Sequence, residues 1–207
     1  MTWNELLLLL RESTSAEYID SRREEIAEWI PGVREMFEYD QNSKYHQYDL
    51  WMHCIHTVLG IDKRIDDDMV YLAALLHDIG KPSSKCKSSR DDDPYSHYYG
   101  HPAVSEQIVE QKVIPCLLEK GAALSEDDIS RLLYYVKYHD DRISLRIKHL
   151  KRHLKIVDLE TFKKLMALQV ADAKAHIIYP LIQHRIDICS EWLNEKADQL
   201  VKDIYME

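Results

Sequence analysis

The fold is decided by one stretch of the 207-residue chain, YLAALLHDIGKP at residues 71–82. Its first six residues form an apolar helical run that requires burial, and a glycine and a proline stop the helix shortly afterwards. His77 and Asp78 are the last polar pair before that stop. A buried carboxylate without a partner costs roughly several kcal/mol, whereas a bound metal ion satisfies both groups. Lys81 then offers a cation to an approaching anion, so the stretch indicates the centre of a metal site.

The length and composition indicate one domain, or one domain with a helical extension. Hydrophobic residues make up 45% of the chain, which is enough for a substantial core, and five glycines and six prolines argue against long disordered linkers. No apolar run approaches the roughly 18 residues that a membrane span needs. We therefore expect a chain without a membrane segment.

The net charge of −9 argues against an extended electropositive surface for nucleic acid. It still permits a small basic pocket that binds one phosphate. The four cysteines, at positions 54, 86, 116 and 189, include no close pair, so the sequence contains no zinc-knuckle motif, no redox motif and no disulfide framework. Reduced thiols and a cytoplasmic location are the simplest interpretation.

Helix caps and breakers predict an all-α fold. Thr2, Ser15, Asp49, Ser125 and Asp158 each stand where a helix N-cap is expected. No alternating strand pattern and no internal repeat is found. The predicted helices span residues 3–11, 16–30, 34–38, 50–59, 101–113, 126–137, 145–154, 159–178 and 181–205, together with a helix that starts at the acidic turn 66–68 and carries the pair at 77 and 78.

Two regions are expected from this pattern. Residues 1–40 are predicted to be an N-terminal helical extension packed on the core, and residues 41–207 a helical domain that ends in a C-terminal helix. Residues 83–99 are the least regular part of the chain and are rich in Ser, Lys and Asp. They are expected to form a lid, a hairpin or a plain surface loop beside the candidate site.

Four candidate metal ligands lie on or at the end of predicted helices among apolar residues: His53, His77, Asp78 and Asp172. Asp172 falls on the stripe Leu165, Leu168, Asp172, Ala175, a helix face that otherwise looks buried. A single buried aspartate usually accepts a hydrogen bond from a packed helix. Four imidazole or carboxylate groups on three core helices instead indicate a metal, and mixed nitrogen and oxygen donors suit Mn, Fe, Co, Ni, Zn or, less well, Mg.

These residues and their flanks resemble the HD-domain metal-dependent phosphohydrolase superfamily, and more closely the HD region of bacterial tRNA nucleotidyltransferases. The resemblance rests on the segments YHQYDLWMH at 45–53, LAALLHDIGKP at 72–82, HYYGH at 97–101 and LMALQVADAKAH at 165–176. It covers about two thirds of the chain and implies an HD-domain helical bundle in which His53, His77, Asp78 and Asp172 bind the metal. Nothing upstream resembles the nucleotidyltransferase catalytic domain, so CCA addition is not expected.

The resemblance also raises the question of a second metal, because some HD proteins hold two with the help of two further histidines. His101 and His139 lie in the corresponding neighbourhoods of this chain. Asp78 is then the shared ligand and the catalytic residue that orients the attacking water. The alternative is that His101 contacts phosphate near a helix N-cap and His139 lies at a surface helix end.

Phosphate contacts are assigned to Lys81 and Arg142, with Arg146 as a further candidate; a solvated lysine is the alternative for Lys81. The other histidines are read as surface or packed residues: His46, His56, His149, His153 and His184. His97 and His176 lie inside resembling segments and are assigned no role.

The sequence thus predicts a metal-dependent phosphohydrolase, a phosphomonoesterase or phosphodiesterase, that cleaves a nucleotide or similar small phosphorylated substrate with metal-activated water. It would use one or two divalent ions. The partner is expected to be that small substrate, without membrane or extended nucleic acid, and the oligomeric state is open. A metal-stabilised module that binds nucleotides or RNA ends without catalysis is one alternative. A di-iron oxygenase is another, and it would require both His101 and His139 as ligands.

Overall fold

The computed structural model describes residues 1–87 and 93–205. The predicted all-α fold is confirmed. Residues 88–92, part of the predicted loop 83–99, lie outside the described residues. The helices are α1 Trp3–Glu12, α2 Ala16–Ser21, α3 Arg23–Trp29, α4 Leu50–Gly60, α5 Asp68–Leu76, α6 Lys81–Ser84, α7 His101–Ile108, α8 Ile114–Glu119, α9 Glu126–Tyr138, α10 Ile147–His153, α11 Leu159–Ala175, α12 Pro180–Leu193 and α13 Glu195–Tyr205, with a 3₁₀ helix at Val33–Met36 and a π-helical segment at Val109–Val113.

The central helices of the bundle are α4, α5 and α11. Every residue of α5 from Met69 to Leu76 is buried, which is what a helix surrounded on all sides requires. Helices α4 and α11 approach closely because small residues face each other: a Cβ placed on Gly60 would lie 3.0 Å from the Cβ of Ala171. This packing puts the C-terminal end of α5 beside the middle of α4 and the end of α11.

The N-terminal helices pack onto the same core. Leu6 and Leu10 of α1 are fully buried, and the indole of Trp51 on α4 donates a hydrogen bond to the Asp20 carboxylate at 2.8 Å. The predicted single helix 16–30 is wrong, because the chain breaks between α2 and α3 at Arg22, whose N–H turns back to the carbonyls of Ile19 and Asp20. The boundary at residue 40 stays a prediction.

Two further predicted helices differ from the structure, one in its C-terminal end and one in its continuity. The helix predicted to reach residue 178 stops at Ala175, because the backbone of His176 pairs with His46 and the Ile177 N–H donates to the Tyr45 carbonyl at 3.0 Å. The helix predicted over 181–205 is divided at Asn194 into α12 and α13.

The prediction of no strand also needs correction. Cys86–Lys87 forms β1 and Ser96–His97 forms β2, an antiparallel pair of two residues each. The described part of the predicted loop 83–99 thus contains a pair of strands, and the connection between them lies outside the described residues. Two residues are too few to show an alternating pattern in the sequence. No helix in the described part of the chain is long and apolar enough to cross a membrane.

Asp67 combines two roles at the start of α5. Its carboxylate accepts a hydrogen bond from the Met69 N–H at 3.0 Å, which is the cap expected of an acidic residue at a helix start. The side chain is also buried, and it contacts two cations: the Arg131 guanidinium at 2.7 Å and the Lys164 ammonium at 3.0 Å. Tyr135 donates a further hydrogen bond at 3.0 Å. Asp67 therefore links α5 to α9 and α11.

Gly80 is required by close packing. Its backbone has an ordinary right-handed conformation, with φ −82° and ψ −10°, and its N–H donates to the Ser105 hydroxyl at 2.9 Å. A Cβ at this position would lie 2.5 Å from the Ser105 nitrogen and 2.9 Å from the His101 carbonyl oxygen. The glycine lets the turn after the His-Asp pair touch the backbone of α7.

We expect Gly80→Ala to lower the free energy of unfolding by about 1–3 kcal/mol, because the clash is with backbone atoms that cannot rotate away. Urea unfolding at equilibrium measures the change. Ser130→Ala, an exposed position on α9, is the control and should leave stability nearly unchanged. Equal stability of Gly80→Ala and the wild type would contradict the packing argument.

Candidate metal centre

The structure brings the four predicted ligands together where the C-terminal end of α5 meets α4 and α11. His53 lies on α4, His77 caps the C-terminus of α5 with Asp78 next to it, and Asp172 lies on α11. All four are buried. The His53 Nε2 lies 3.1 Å from Asp172 Oδ1 and 3.6 Å from Asp78 Oδ2. The His77 Nε2 lies 3.2 Å from Asp78 Oδ2 and 3.7 Å from Asp172 Oδ1.

Asp78 presents its second oxygen to the two additional histidines. Its Oδ1 lies 3.0 Å from His101 Nε2 and 3.5 Å from His139 Nε2. Those two nitrogens lie 3.2 Å apart. His139 is buried, so the alternative that it lies at a surface helix end is wrong. One carboxylate therefore separates a group of His53, His77 and Asp172 from a pair of imidazoles.

Three of these histidines are oriented in the same way by the backbone. The Nδ1 of each faces the carbonyl oxygen three residues earlier: Ala74 for His77, Tyr98 for His101 and Val136 for His139, at distances of 2.8, 2.9 and 2.7 Å. A neutral imidazole that donates from Nδ1 keeps its lone pair on Nε2. A backbone carbonyl as the partner of the other ring nitrogen is typical of metal-binding histidines.

The donor atoms fit a cation better than they fit one another. With both Nδ1 atoms donating, the Nε2 lone pairs of His101 and His139 point at each other without a proton between them. The His77 Nε2 and Asp78 Oδ1 are buried and have no hydrogen-bond partner among the described residues. Buried polar atoms in this condition are costly, and a divalent ion at each side of Asp78 would satisfy them.

The protonation states also suit a cation. Burial lowers the pKa of His53 to about 4 despite the nearby Asp172, and burial likewise lowers the pKa of His139. Burial alone would raise the pKa of Asp78, but His77 and Lys81 outweigh it and hold the pKa well below its usual range. His77 differs, because Asp78 and Asp172 outweigh its burial and raise its pKa. Neutral His53 and His139 beside ionised carboxylates are donors that suit a divalent transition metal, which would displace the proton from His77.

The cations near the site differ from the sequence prediction. Lys81 is buried, and its ammonium lies 2.7 Å from Asp78 Oδ2 and 2.8 Å from the Gln41 side-chain oxygen. It is therefore not a solvated lysine. Arg142 is exposed and is not among the residues that line the cavity, so the structure does not bring this predicted phosphate contact to the site.

Arg185 of α12 lies at the site and was missed from the sequence. Its guanidinium donates to the His139 carbonyl at 2.6 Å and to Asp140 at 3.0 Å, and it lies 3.7 Å from Asp172 Oδ2. In the sequence, Arg185 is a single arginine within the predicted helix 181–205, and no local pattern distinguishes it from a surface residue.

His46 and His176 also reach the site, although the sequence assigned neither a ligand role. Their ring centroids lie 4.4 Å apart, and both rings lie within 5.1 Å of the His53 ring. The available signal was their position inside the segments that carry the family resemblance. His153, in contrast, is a packed residue as expected, buried against the Tyr134 hydroxyl at 2.8 Å.

The two groups of donors open into one cavity of about 650 Å³, a size suited to a small ligand. Its inner wall contains Asp78, His139 and Asp172 together with Lys81 and Arg185. The segments 43–46 and 93–102, which include the candidate ligand His101, also line the cavity. An anion that enters would meet the buried Lys81 and the partly buried Arg185 beside the candidate ligands.

Comparison with known proteins gives one match. The family model described as HD domain matches residues 44–174, which is more than half of the chain. No curated protein matches the chain, and no solved structure does. The match contains all six candidate ligands, whereas Arg185 lies beyond it. The closer resemblance to the HD region of tRNA nucleotidyltransferases stays a prediction.

Proposed function

This chain belongs to the HD domain family, and from that premise we propose that it is a metal-dependent phosphohydrolase. The observation that carries the proposal is Asp78, whose two carboxylate oxygens face separate groups of imidazoles at 3.0–3.6 Å. A carboxylate in this position suits the bridging ligand of a two-metal site.

The first ion would be held by His53, His77, Asp78 and Asp172, and the second by Asp78, His101 and His139. Bound metal supplies hydroxide at neutral pH by lowering the pKa of water from about 15.7 towards 7. The Asp78 carboxylate orients the attacking water. Lys81 and Arg185 lie where they can hold phosphoryl oxygens, and they neutralise the charge that builds up as the phosphoester bond breaks.

A small substrate is favoured over a long polymer. The cavity of about 650 Å³ accommodates a molecule of nucleotide size, and the net charge of −9 disfavours long nucleic acid. The substrate proposed is therefore a nucleotide or a similar small phosphorylated compound.

Elemental analysis of protein purified without added metal tests the proposal. The same protein is assayed on nucleoside monophosphates, cyclic nucleotides and dinucleoside polyphosphates with Mn, Co, Ni or Mg. We expect about two metals per chain and turnover of at least one class. Metal without turnover would overturn the hydrolase in favour of a binding module, and a coloured, iron-loaded protein that consumes oxygen would favour a di-iron oxygenase. A chain that neither retains nor rebinds metal would refute the metal centre.

We expect His101→Ala to reduce the metal content from two ions to one and to lower kcat by about 100-fold or more, because one charge that stabilises the transition state is lost. Metal content and kcat are measured on the same preparation. His184→Ala, at an exposed position on α12, is the matched control. Two retained ions in His101→Ala would show that His101 is not a ligand.

A further inference from the structure

The outer part of the cavity is lined by three tyrosines that are unusually exposed: Tyr45 at 42%, Tyr95 at 37% and Tyr99 at 71%. We call this set the tyrosine rim. At the other end of the cavity, Asp78 and His139 are almost completely buried. The cavity therefore changes from buried carboxylates, imidazoles and cations inside to exposed aromatic surface outside.

Two rings of the tyrosine rim are held in place by a second ring behind them. Tyr99 is stacked on His97, with centroids 5.3 Å apart and an interplanar angle of 13°. Tyr45 is stacked on Tyr179, with centroids 5.0 Å apart and an angle of 27°. Such pairing orients the outer rings before any ligand arrives and reduces the conformational entropy that binding would cost.

The two segments that carry the tyrosine rim are joined to each other. The Asn42 side-chain amide donates to the Pro94 carbonyl at 3.1 Å and to the Ser96 hydroxyl at 3.2 Å, and the Ser96 N–H donates to the Asn42 carbonyl at 3.0 Å. Tyr98 adds a hydrogen bond to the Gln41 carbonyl at 2.7 Å. The rim is therefore one connected wall.

The rim also carries positive charge. The Lys44 ammonium lies 5.1 Å from the Tyr45 ring centroid and 5.8 Å from that of Tyr95. Together with Lys81 and Arg185 inside, this places cations along the cavity of an acidic chain. A ligand that is both planar and anionic matches this lining.

We propose that the tyrosine rim binds the nucleobase of the substrate by stacking while the phosphate lies at the metal centre. The inference rests on the proposed function and narrows its substrate to a nucleoside phosphate. Tyr45 directly precedes His46, whose ring lies 5.1 Å from that of His53, so the base surface adjoins the metal ligands. Every base offers a π-face, so the subsite accepts all four bases.

The test compares adenosine 5′-monophosphate with ribose 5-phosphate, which lacks the base, on the metal-loaded protein. Tyr99→Ala should raise KM for the nucleotide about tenfold, the scale of one stacking contact, and leave KM for ribose 5-phosphate unchanged. Tyr99→Phe should keep the wild-type KM. Tyr18→Ala, an exposed tyrosine on α2 outside this cavity, should behave as wild type.

Failure of the base subsite is distinguishable from failure of the hydrolase. If Tyr99→Ala cleaves both compounds with the KM values of the wild type, the base subsite is refuted and the hydrolase stands. If neither compound is cleaved, calorimetric binding of adenosine 5′-monophosphate decides: binding weakened by Tyr99→Ala but not by Tyr99→Phe supports the subsite without hydrolysis, and unaffected binding refutes it. Competition assays identify the ligand of the subsite. If a short oligoribonucleotide inhibits the wild type but not Tyr99→Ala, the subsite binds a base at an RNA end. If only free nucleotides inhibit, the subsite binds small substrates.

Discussion

Asp78→Asn is expected to abolish metal retention and to lower kcat/KM by about 1,000-fold or more. The substitution keeps the shape of the side chain but removes the charge that faces His53, His77, His101 and His139 at 3.0–3.6 Å. As the proposed bridging ligand, Asp78 would contribute to holding both ions, so its loss would impair the generation of hydroxide as well as the stabilisation of phosphoryl charge. Metal content and hydrolysis are measured on the same samples.

Two comparisons keep this prediction falsifiable. Asp187→Asn, at an exposed position on α12, should retain the wild-type metal content and activity. Asp172→Asn removes a candidate ligand that belongs to α11, and it leaves intact the ion pair between the Lys81 ammonium and Asp78 Oδ2 at 2.7 Å. Asp172→Asn should lower the metal content, and this result tests the metal centre even if Asp78→Asn is too unstable to interpret. Full metal content in folded Asp78→Asn would refute the assignment.

Asp67→Asn is expected to lower the free energy of unfolding by about 1.5–3 kcal/mol, the scale of hydrogen bonds to a charged group. The neutral amide would remove the buried carboxylate that lies 2.7 Å from Arg131 and 3.0 Å from Lys164. Arg131 would keep its exposed-side contacts to Asp127 and Asp128. For a chain of this size that loss corresponds to a decrease in Tm of roughly 3–12 °C. Calorimetry and urea unfolding measure it.

The neighbouring carboxylate provides the control. Asp66 is exposed and contacts Arg11 at 3.1 Å, so Asp66→Asn should change stability by less than about 1 kcal/mol. Folded Asp67→Asn should bind metal as the wild type does, because Asp67 lies at the opposite end of α5 from His77. An equally small effect of both substitutions would show that the buried cluster adds little to stability.

Asp67 illustrates how much of the fold was accessible from the sequence. An acidic turn before an apolar run predicts a helix start, and the structure confirms the helix with Asp67 as its cap. The same residue also neutralises Arg131 and Lys164, which are 64 and 97 positions away in the chain. Sequence periodicity reports contacts within one or two helical turns, so it contains no information on those partners.

The sequence by itself determined the all-α class, because helix caps and breakers are local properties. Its resemblance to the HD domain family supplied the family and the full set of residues proposed as ligands. Tertiary structure alone decided which side chains meet at the cavity. It brought in Arg185, His46 and His176, left Arg142 outside, and ended α11 at Ala175 through backbone pairing with residues 45 and 46. The tyrosine rim likewise exists only because two segments about fifty residues apart are joined by Asn42. Such contacts depend on how whole helices pack, a long-range property to which the pattern along any one segment is insensitive.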